Sequence, residues 1–525
     1  MVGSKMIKYP FGIGRKVCIL LVTVCLLLNK LYLMQLLKLI SLLKKSKRIL
    51  IAKITSHAAL QRILLKSNVK HYALQLMTIF LCETILSGNA IAVLSATTTN
   101  VIHGSAPYLT FDDNKSKANS MSGVLSITLS DGRKYDKSNH RSSKSSPIIL
   151  PEENQSVNDI KMFLPKKHKE DPMDHTKKAK LNDVLLSFGL ARDDDGDEIT
   201  VTGGELTIDI RNVDGKQIRN YAQILDPCYA PYSIYLKSDD ATLSTRYGIP
   251  ASSGKFIGSS VTYYISPKVN DPYTCFSQPN LNHSYGTHLG PAEQWDRYHG
   301  FKPQNIQQPF MNFPNTAANG LHFYLMTAGG LAREFTYTKL PVDSGININV
   351  THEKGKLANI ARIDLMGPSY TSTVEQAATA VPTTFIIYAD KAKKNKIYSF
   401  KIDKWFIANS EEMSYLDAKE FCMTLEKAGY HVANTIDMTN GNNRFWSGGL
   451  PGQPNNYQRR IGGSLFAEWG STRKNYYHNS DFTESYYWST EPYPLSLGWQ
   501  YRISSAYGSA YYASSDGNNG ALCVH

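Results

Sequence analysis

Two stretches decide the fold: Met413-Ser-Tyr-Leu-Asp-Ala-Lys-Glu-Phe-Cys-Met-Thr-Leu-Glu-Lys-Ala-Gly429 and the chain's last residues, Gly520-Ala-Leu-Cys-Val-His525. In the first, Ala418, Phe421, Cys422, Leu425 and Ala428 recur at helical spacing and share one face. Ser414 and Asp417 are placed as a capping box, and Gly429 is the stop signal. One face of this helix is therefore core, and Cys422 lies on it. The second run follows the turn-like Ser515-Asp-Gly-Asn-Asn519 and reads as a final strand returning to that core. A Cys422 to Cys523 bridge would tie the helix of a C-terminal module to its last strand.

Whether such a bridge forms depends on compartment, and the first hundred residues bear on that. The net charge is +13, yet residues 1–96 hold 14 Lys and Arg against the single acid Glu83, and the remainder holds 43 basic and 43 acidic residues. The basic excess sits in a leader, so the nucleic-acid reading that a high pI invites loses its support. The leader carries two apolar runs, Val17 to Leu28 and Ala73 to Leu86, with Lys66 and Lys70 before the second and small-residue sites at Gly88-Asn-Ala90 and Ala90-Ile-Ala92 after it. These are the parts of a secretory signal cleaved near Ala92. An uncleaved membrane anchor is the competing reading, and membrane contact is expected only through this leader.

Either way the rest of the chain is expected outside the cytosol, where disulfides persist. Cys18, Cys25 and Cys82 belong to the leader, and four cysteines remain: Cys228, Cys275, Cys422 and Cys523. Four cysteines allow three connectivities. Proximity and domain organisation favour Cys228 with Cys275 and Cys422 with Cys523, each closing a loop worth about 4–5 kcal/mol in the chain-entropy model.

The expected fold class is mostly β: β-sandwich modules of the immunoglobulin-like kind followed by a C-terminal α+β domain. Short runs bounded by Gly, Pro, Asn or Asp, among them Glu198-Ile-Thr-Val201, Glu205-Leu-Thr-Ile-Asp-Ile210, Tyr232-Ser-Ile-Tyr-Leu236, Ser260-Val-Thr-Tyr-Tyr-Ile265, Gly320-Leu-His-Phe-Tyr-Leu325 and Thr384-Phe-Ile-Ile-Tyr388, read as strands without intervening long helices. Val124-Leu-Ser-Ile-Thr-Leu129 before Asp131-Gly132 reads as a strand entering a hairpin. Composition divides the chain into a leader (1–96), a β-rich N-terminal region with a polar connector (97–182), a β-sandwich domain (183–400) and a last domain (401–525). The Ser-, Lys- and Pro-rich stretch 133–180 is expected to contribute no core.

Several short strings in fixed order carry a resemblance. Gly104-Ser-Ala-Pro-Tyr-Leu-Thr-Phe111, Asp226-Pro-Cys228, Tyr263-Tyr-Ile-Ser-Pro267, Gln278-Pro-Asn-Leu281, Gly290-Pro-Ala-Glu-Gln-Trp295 and Asn312-Phe-Pro314 resemble the adhesion domain of enterobacterial adhesins or invasins. The stretch from Met413 to Cys523, with Leu465-Phe-Ala-Glu-Trp-Gly470 and Tyr487-Trp-Ser-Thr490, is similar to the C-type-lectin-like modules that tip intimin and invasin relatives. The resemblance implies a cell-surface, outer-membrane or secreted adhesin of a Gram-negative bacterium, a virulence protein that binds a host-cell protein receptor or glycan through its C-terminal domain. It departs from intimin-type proteins in lacking a series of alternating barrel strands.

Ca²⁺ is the only cofactor candidate, at two places. Gly452-Gln-Pro-Asn-Asn456 resembles the sugar-binding loop of C-type lectins, with Gln453, Asn455 and Asn456 as oxygen donors, but it lacks the second half of that site. Asp193-Asp-Asp-Gly-Asp-Glu198 offers Asp193, Asp195 and Asp197 at a domain junction, but does not match the EF-hand spacing; the bland reading is an acidic turn. Aromatics give the stronger binding signal, since Tyr and Trp present rigid amphipathic area: Tyr486, Tyr487, Trp499, Tyr507, Tyr511 and Tyr512 are the candidates, against the alternative that many are core. No nucleophile elbow, metalloprotease helix, phosphate loop or dinucleotide fingerprint occurs. The expected function is therefore adhesion without catalysis, the alternatives being a leader-anchored envelope structural protein or a two-carboxylate glycan hydrolase.

Overall fold

A computed structural model describes residues 104–525 apart from 166–167, 174, 379–380, 444–445, 447–448, 463 and 484–485; the readings of the leader, its signal or anchor and its cleavage near Ala92, lie outside the described residues. The chain is mostly β, with short helices, as its run of brief alternating segments predicts.

The first sheet contains β1 (Ile148–Ile149), β2 (Lys169–Glu170), β3 (Lys177–Lys180), β4 (Glu205–Arg211), β5 (Tyr232–Ser238) and β6 (Ser259–Ser266), in the order β1-β6-β5-β4-β3-β2. Its centre is antiparallel, with Ile234 opposite both Ile210 and Tyr263, and Leu236 opposite Ile208 and Val261. Period-two alternation buries one side of each strand. The helix α1 (Leu181–Ser187) adds Leu181, Val184 and Leu185 to this core.

Two local expectations change here. Residues 124–129 do not form one strand: Met121–Leu125 is a 3₁₀ turn capped by Ser120, and only Ile127–Thr128 is extended, pairing with Lys134–Tyr135 across the Asp131-Gly132 turn. The polar stretch 133–180 does contribute core, through Ile148, Leu150, Val157, Ile160 and Ala179. A segment wrapping a sheet needs only an occasional apolar residue, so its average composition stays polar.

A second sheet is built from β7 (Tyr273–Gln278), β8 (Trp295–Asp296), β9 (Gly300–Phe301), β11 (His322–Ala328), β13 (Asn347–Thr351) and β14 (Ile360–Met366). It faces the three-stranded sheet of β12 (Thr336–Leu340), β15 (Thr383–Tyr388) and β16 (Lys396–Ile402). The faces meet where Phe323 packs edge-on against Phe400 at 5.7 Å, and Phe400 stacks on Phe385 of its own sheet at 5.1 Å. This is a β-sandwich.

The third large sheet holds β10 (Thr316–Ala318), β17 (Lys404–Met413), β18 (His431–Val432), β19 (Tyr486–Pro492), β20 (Trp499–Ser504), β21 (Ala510–Ser514) and β22 (Asn519–Val524). Its order is β10-β17-β22-β19-β20-β21, with β18 also on β22. The helix α2 (Tyr415–Thr424) starts at Ser414, whose hydroxyl accepts the Asp417 N–H at 3.2 Å. It ends near Gly429, which has φ 87°. Ala418, Cys422, Leu425 and Ala428 are buried, and Cys422 is bonded to Cys523 on β22.

The cores do not divide where composition changes. One buried cluster runs from Leu109 to Ile265, across the compositional boundary at 182; another runs from Trp295 to Val524, across that at 400. The strand β10 shows why: it lies far upstream of residue 401, yet pairs parallel with β17 inside the C-terminal sheet. Between the cores sit the Cys228–Cys275 disulfide and His299, whose ring nitrogens lie 3.0 Å from Asp214 Oδ1 and 2.9 Å from Asp296 Oδ1. Among the described residues no helix is long and apolar enough to cross a membrane. The two disulfides fit an oxidising, exported setting.

Candidate functional site

The β19–β20–β21 end of the third sheet gathers most of the aromatic candidates. Among the described residues β21 pairs only with β20, so it is a sheet edge. The register places Tyr501 opposite Tyr512 and Arg502 opposite Tyr511, so Trp499, Tyr501, Ile503 and Tyr512 share one face while Arg502 and Tyr511 share the other. On the first face Tyr501 and Ile503 are buried, and Tyr512 lies at the rim, stacked on Tyr493 at 3.9 Å with Trp499 at 5.7 Å. On the second face Tyr511 meets Tyr486 edge-on at 5.5 Å, and the Arg502 guanidinium lies 4.3 Å from the Tyr486 ring. Tyr511 and Tyr512 are each 45% exposed. The edge thus carries rings on both faces.

Tyr487 does not belong to this surface. Alternation along β19 turns Tyr486 and Trp488 to one face and Tyr487 to the other, where it is fully buried against Phe466 and Phe482. Its hydroxyl accepts the Thr483 N–H at 2.7 Å, so even its polar end is committed to the interior. Tyr507 is exposed but stands apart, at the turn after β20, packed 4.5 Å from His283. Burial holds the His283 and His288 rings below their ordinary pKa, His288 at about 4.

The loop with the lectin-type signature is tied into the fold. Asn455 accepts the Ala510 N–H at 2.7 Å and donates to the Ala510 carbonyl at 3.0 Å. Gln453 donates to the carbonyls of Thr287 and Asn456, and Asn456 to the Thr287 hydroxyl. Gln453 and Asn455 therefore act as struts beside β21. The acidic run is a clasp on the chain's early residues: Asp193 accepts the N–H groups of Asp195 and Asp197, Asp195 that of Ser105 at 2.5 Å, and Asp194 the Tyr108 hydroxyl at 2.8 Å and Lys117 at 3.2 Å. The Tyr108 hydrogen bond, then that of Lys117, holds the Asp194 carboxyl below its usual range. Among the described residues no group of three or more His, Cys, Asp or Glu is gathered as a metal site.

Sequence reading did not single out Tyr493, Arg502 or Asn443 as site residues, although each bears on the edge. It also missed two buried charges elsewhere in the same core. Arg459 lies 4.3 Å from the Trp295 ring and donates to the Asn280 carbonyl at 2.5 Å; Glu468 accepts the N–H groups of Asn315, Thr316 and Gly462 and the Thr316 hydroxyl. Burial lowers the Arg459 pKa and raises that of Glu468. Gly290 permits the approach, since a Cβ there would meet the Arg459 carbonyl oxygen at 1.9 Å. The signal lay in Gly290-Pro-Ala-Glu-Gln-Trp295 and Leu465-Phe-Ala-Glu-Trp-Gly470, both of which pack on Arg459.

Comparisons with protein-family models, with curated proteins and with solved structures found no match.

Proposed function

We propose that the chain is an exported bacterial adhesin of the enterobacterial adhesin and invasin kind, and that it binds a host receptor through the aromatic edge of its C-terminal sheet without catalysing a reaction. The observation that carries this reading is the exposed pair Tyr511 and Tyr512 on β21, the edge of its sheet among the described residues, flanked by the half-buried Tyr486 of β19 and Trp499 and Arg502 of β20. Tyr, Trp and Arg are the side chains that dominate binding hot spots, because they bring large rigid contact area at low entropic cost. Two disulfides support an extracellular setting, and the stacked sheets below the edge supply a rigid mount.

The test is adhesion of the full chain to cultured epithelial cells. Tyr511→Ala and Trp499→Ala should each reduce binding while leaving the melting temperature of the chain within a few degrees of the parent. Labelling of intact bacteria checks display: a chain reached by the label only after the outer membrane is opened supports the envelope structural reading instead. Turnover of a glycan that stops on mutation of a carboxylate would replace the binding reading with a hydrolase.

A further inference from the structure

The geometry points to an extended peptide as the ligand of this edge, added as a strand alongside β21 at Tyr512 and Ser514. The inference rests on the adhesin reading for its setting and goes beyond it by naming the ligand's chemistry.

The hydrogen-bond phase of β21 is fixed from both ends. Ser504 donates its N–H to the Ser509 carbonyl at 3.0 Å before the strand, and Ser515 donates to the Gly498 carbonyl at 2.8 Å after it. Bonded and non-bonded pairs alternate in an antiparallel ladder. With the register Ile503–Ala510, Arg502–Tyr511, Tyr501–Tyr512, Gln500–Ala513 and Trp499–Ser514, residues 511 and 513 bond inward to β20, and 510, 512 and 514 turn outward. Ala510 bears this out, because both of its backbone groups meet side-chain amides: Asn455 takes the N–H, and Asn455 and Asn443 reach the carbonyl at 3.0 and 3.1 Å. At the far end the Ser514 carbonyl accepts the Gly517 N–H at 2.9 Å. Among the described residues this leaves the Tyr512 N–H, the Tyr512 C=O and the Ser514 N–H without partners.

Those three groups match a strand. The N–H and C=O of one extended residue point the same way, and the next outward N–H lies two residues on, about 6.7 Å away. Asn455 already imitates a partner strand at Ala510, and so fixes where an incoming one must begin. A sugar's acetamido group is a trans amide with its N–H and C=O on opposite sides, so it cannot close both bonds to Tyr512. Natural sheet edges are commonly blunted by Lys, Pro or inward charges; Ala510-Tyr-Tyr-Ala-Ser514 has none of these. A peptide residue facing Tyr512 would set its side chain beside the Tyr512, Tyr493 and Trp499 rings, and its neighbours would lie on the Tyr511 face. The expected ligand is an extended segment with an aromatic or β-branched residue opposite Tyr512.

The probe is a displayed heptapeptide library panned on the full chain, with the best binder then synthesised with a single N-methyl group at each position in turn. Binding should weaken by about fivefold or more at every second residue only, as loss of one hydrogen bond at a time predicts. Tyr512→Pro, which removes an outward N–H from an edge strand, should weaken the same peptide to a like extent, and Tyr512→Phe should change it by less than about twofold. N-methyl effects without a two-residue repeat, equal affinity for the Tyr512→Pro chain, or a library with no binder at this edge would each overturn the proposal. So would glycan binding that Tyr512→Ala abolishes and Tyr512→Pro spares. The adhesin reading fails separately, if the alternating pattern holds but the chain does not bind host cells.

Discussion

The two disulfides are the same bond in two different places, and the contrast separates what holds each half of the molecule from what joins them. Cys422–Cys523 spans 101 residues and lies inside one core, with both cysteines at most 1% exposed, between a helix and the middle of a seven-stranded sheet. Cys228–Cys275 spans 47 residues and lies between cores, joining the loop after Asp226 to β7. The first restrains a fold that burial already specifies. The second restrains the relation of two folds, each of which has its own core. The largest expected effect follows: Cys422→Ala with Cys523→Ala should cost the C-terminal core about 4–5 kcal/mol, whereas Cys228→Ala with Cys275→Ala should leave both cores' melting near the parent and speed proteolytic cleavage between residues 266 and 272. Calorimetry and timed proteolysis of the two double variants measure this, and equal melting losses in both would erase the distinction.

The same contrast between interior and rim holds for neighbouring tyrosines. Tyr487→Ala empties a filled site against Phe466 and Phe482 and should cost about 3–5 kcal/mol. Tyr511→Ala, on the exposed strand, should change stability by no more than about 0.5 kcal/mol. Denaturant unfolding of the two variants checks the pair. Between these extremes stands Glu468, whose carboxylate accepts four donors in the interior. Glu468→Ala should cost about 3 kcal/mol or more by orphaning the Asn315, Thr316 and Gly462 groups, and Glu468→Gln should cost less because one amide oxygen remains an acceptor.

How much of this was legible in the sequence follows from the range of the interactions involved. The helix over Tyr415–Thr424, the closing strand and the Cys422–Cys523 pair were readable, since a capped apolar face and a terminal apolar run are local patterns. The alternating strands β4, β5, β6 and β15 were readable for the same reason. The core boundaries were not. Ile148 and Leu150 are isolated apolar residues in a polar stretch, and β10 joins its sheet through pairing with residues almost ninety positions away. At the site, a count of aromatics located the region. It could not tell Tyr487 from Tyr486, because the facing of a strand is set by partners such as Gly520, where a Cβ would strike the Tyr487 ring. The struts Gln453 and Asn455 had a recognisable spacing, but what they bond to is fixed only by the fold.

The smallest expected effect is a pH dependence that sharpens the comparison of interior and rim. His288 and His322 are partly buried and uncharged rings, each pushed by burial from an ordinary pKa of 6.5 to about 4. A ring whose pKa is lower in the folded chain binds its proton more weakly there than in the unfolded chain. Its contribution to stability is therefore complete above pH 6.5, declines as the pH falls toward 4, and changes no further below that. Each ring should account for a loss on the order of 1 kcal/mol after allowance for solvent screening. In a His322→Gln variant the part due to residue 322 is gone. The gap in stability between parent and variant, measured by denaturant unfolding at pH 7.5, 5.5 and 4.0, should therefore move in the variant's favour as acid is added. A gap independent of pH would mean that the His322 ring, set between Tyr324 and Tyr477, titrates alike in the folded and unfolded chain, and that this part of the interior is as open to water as the edge.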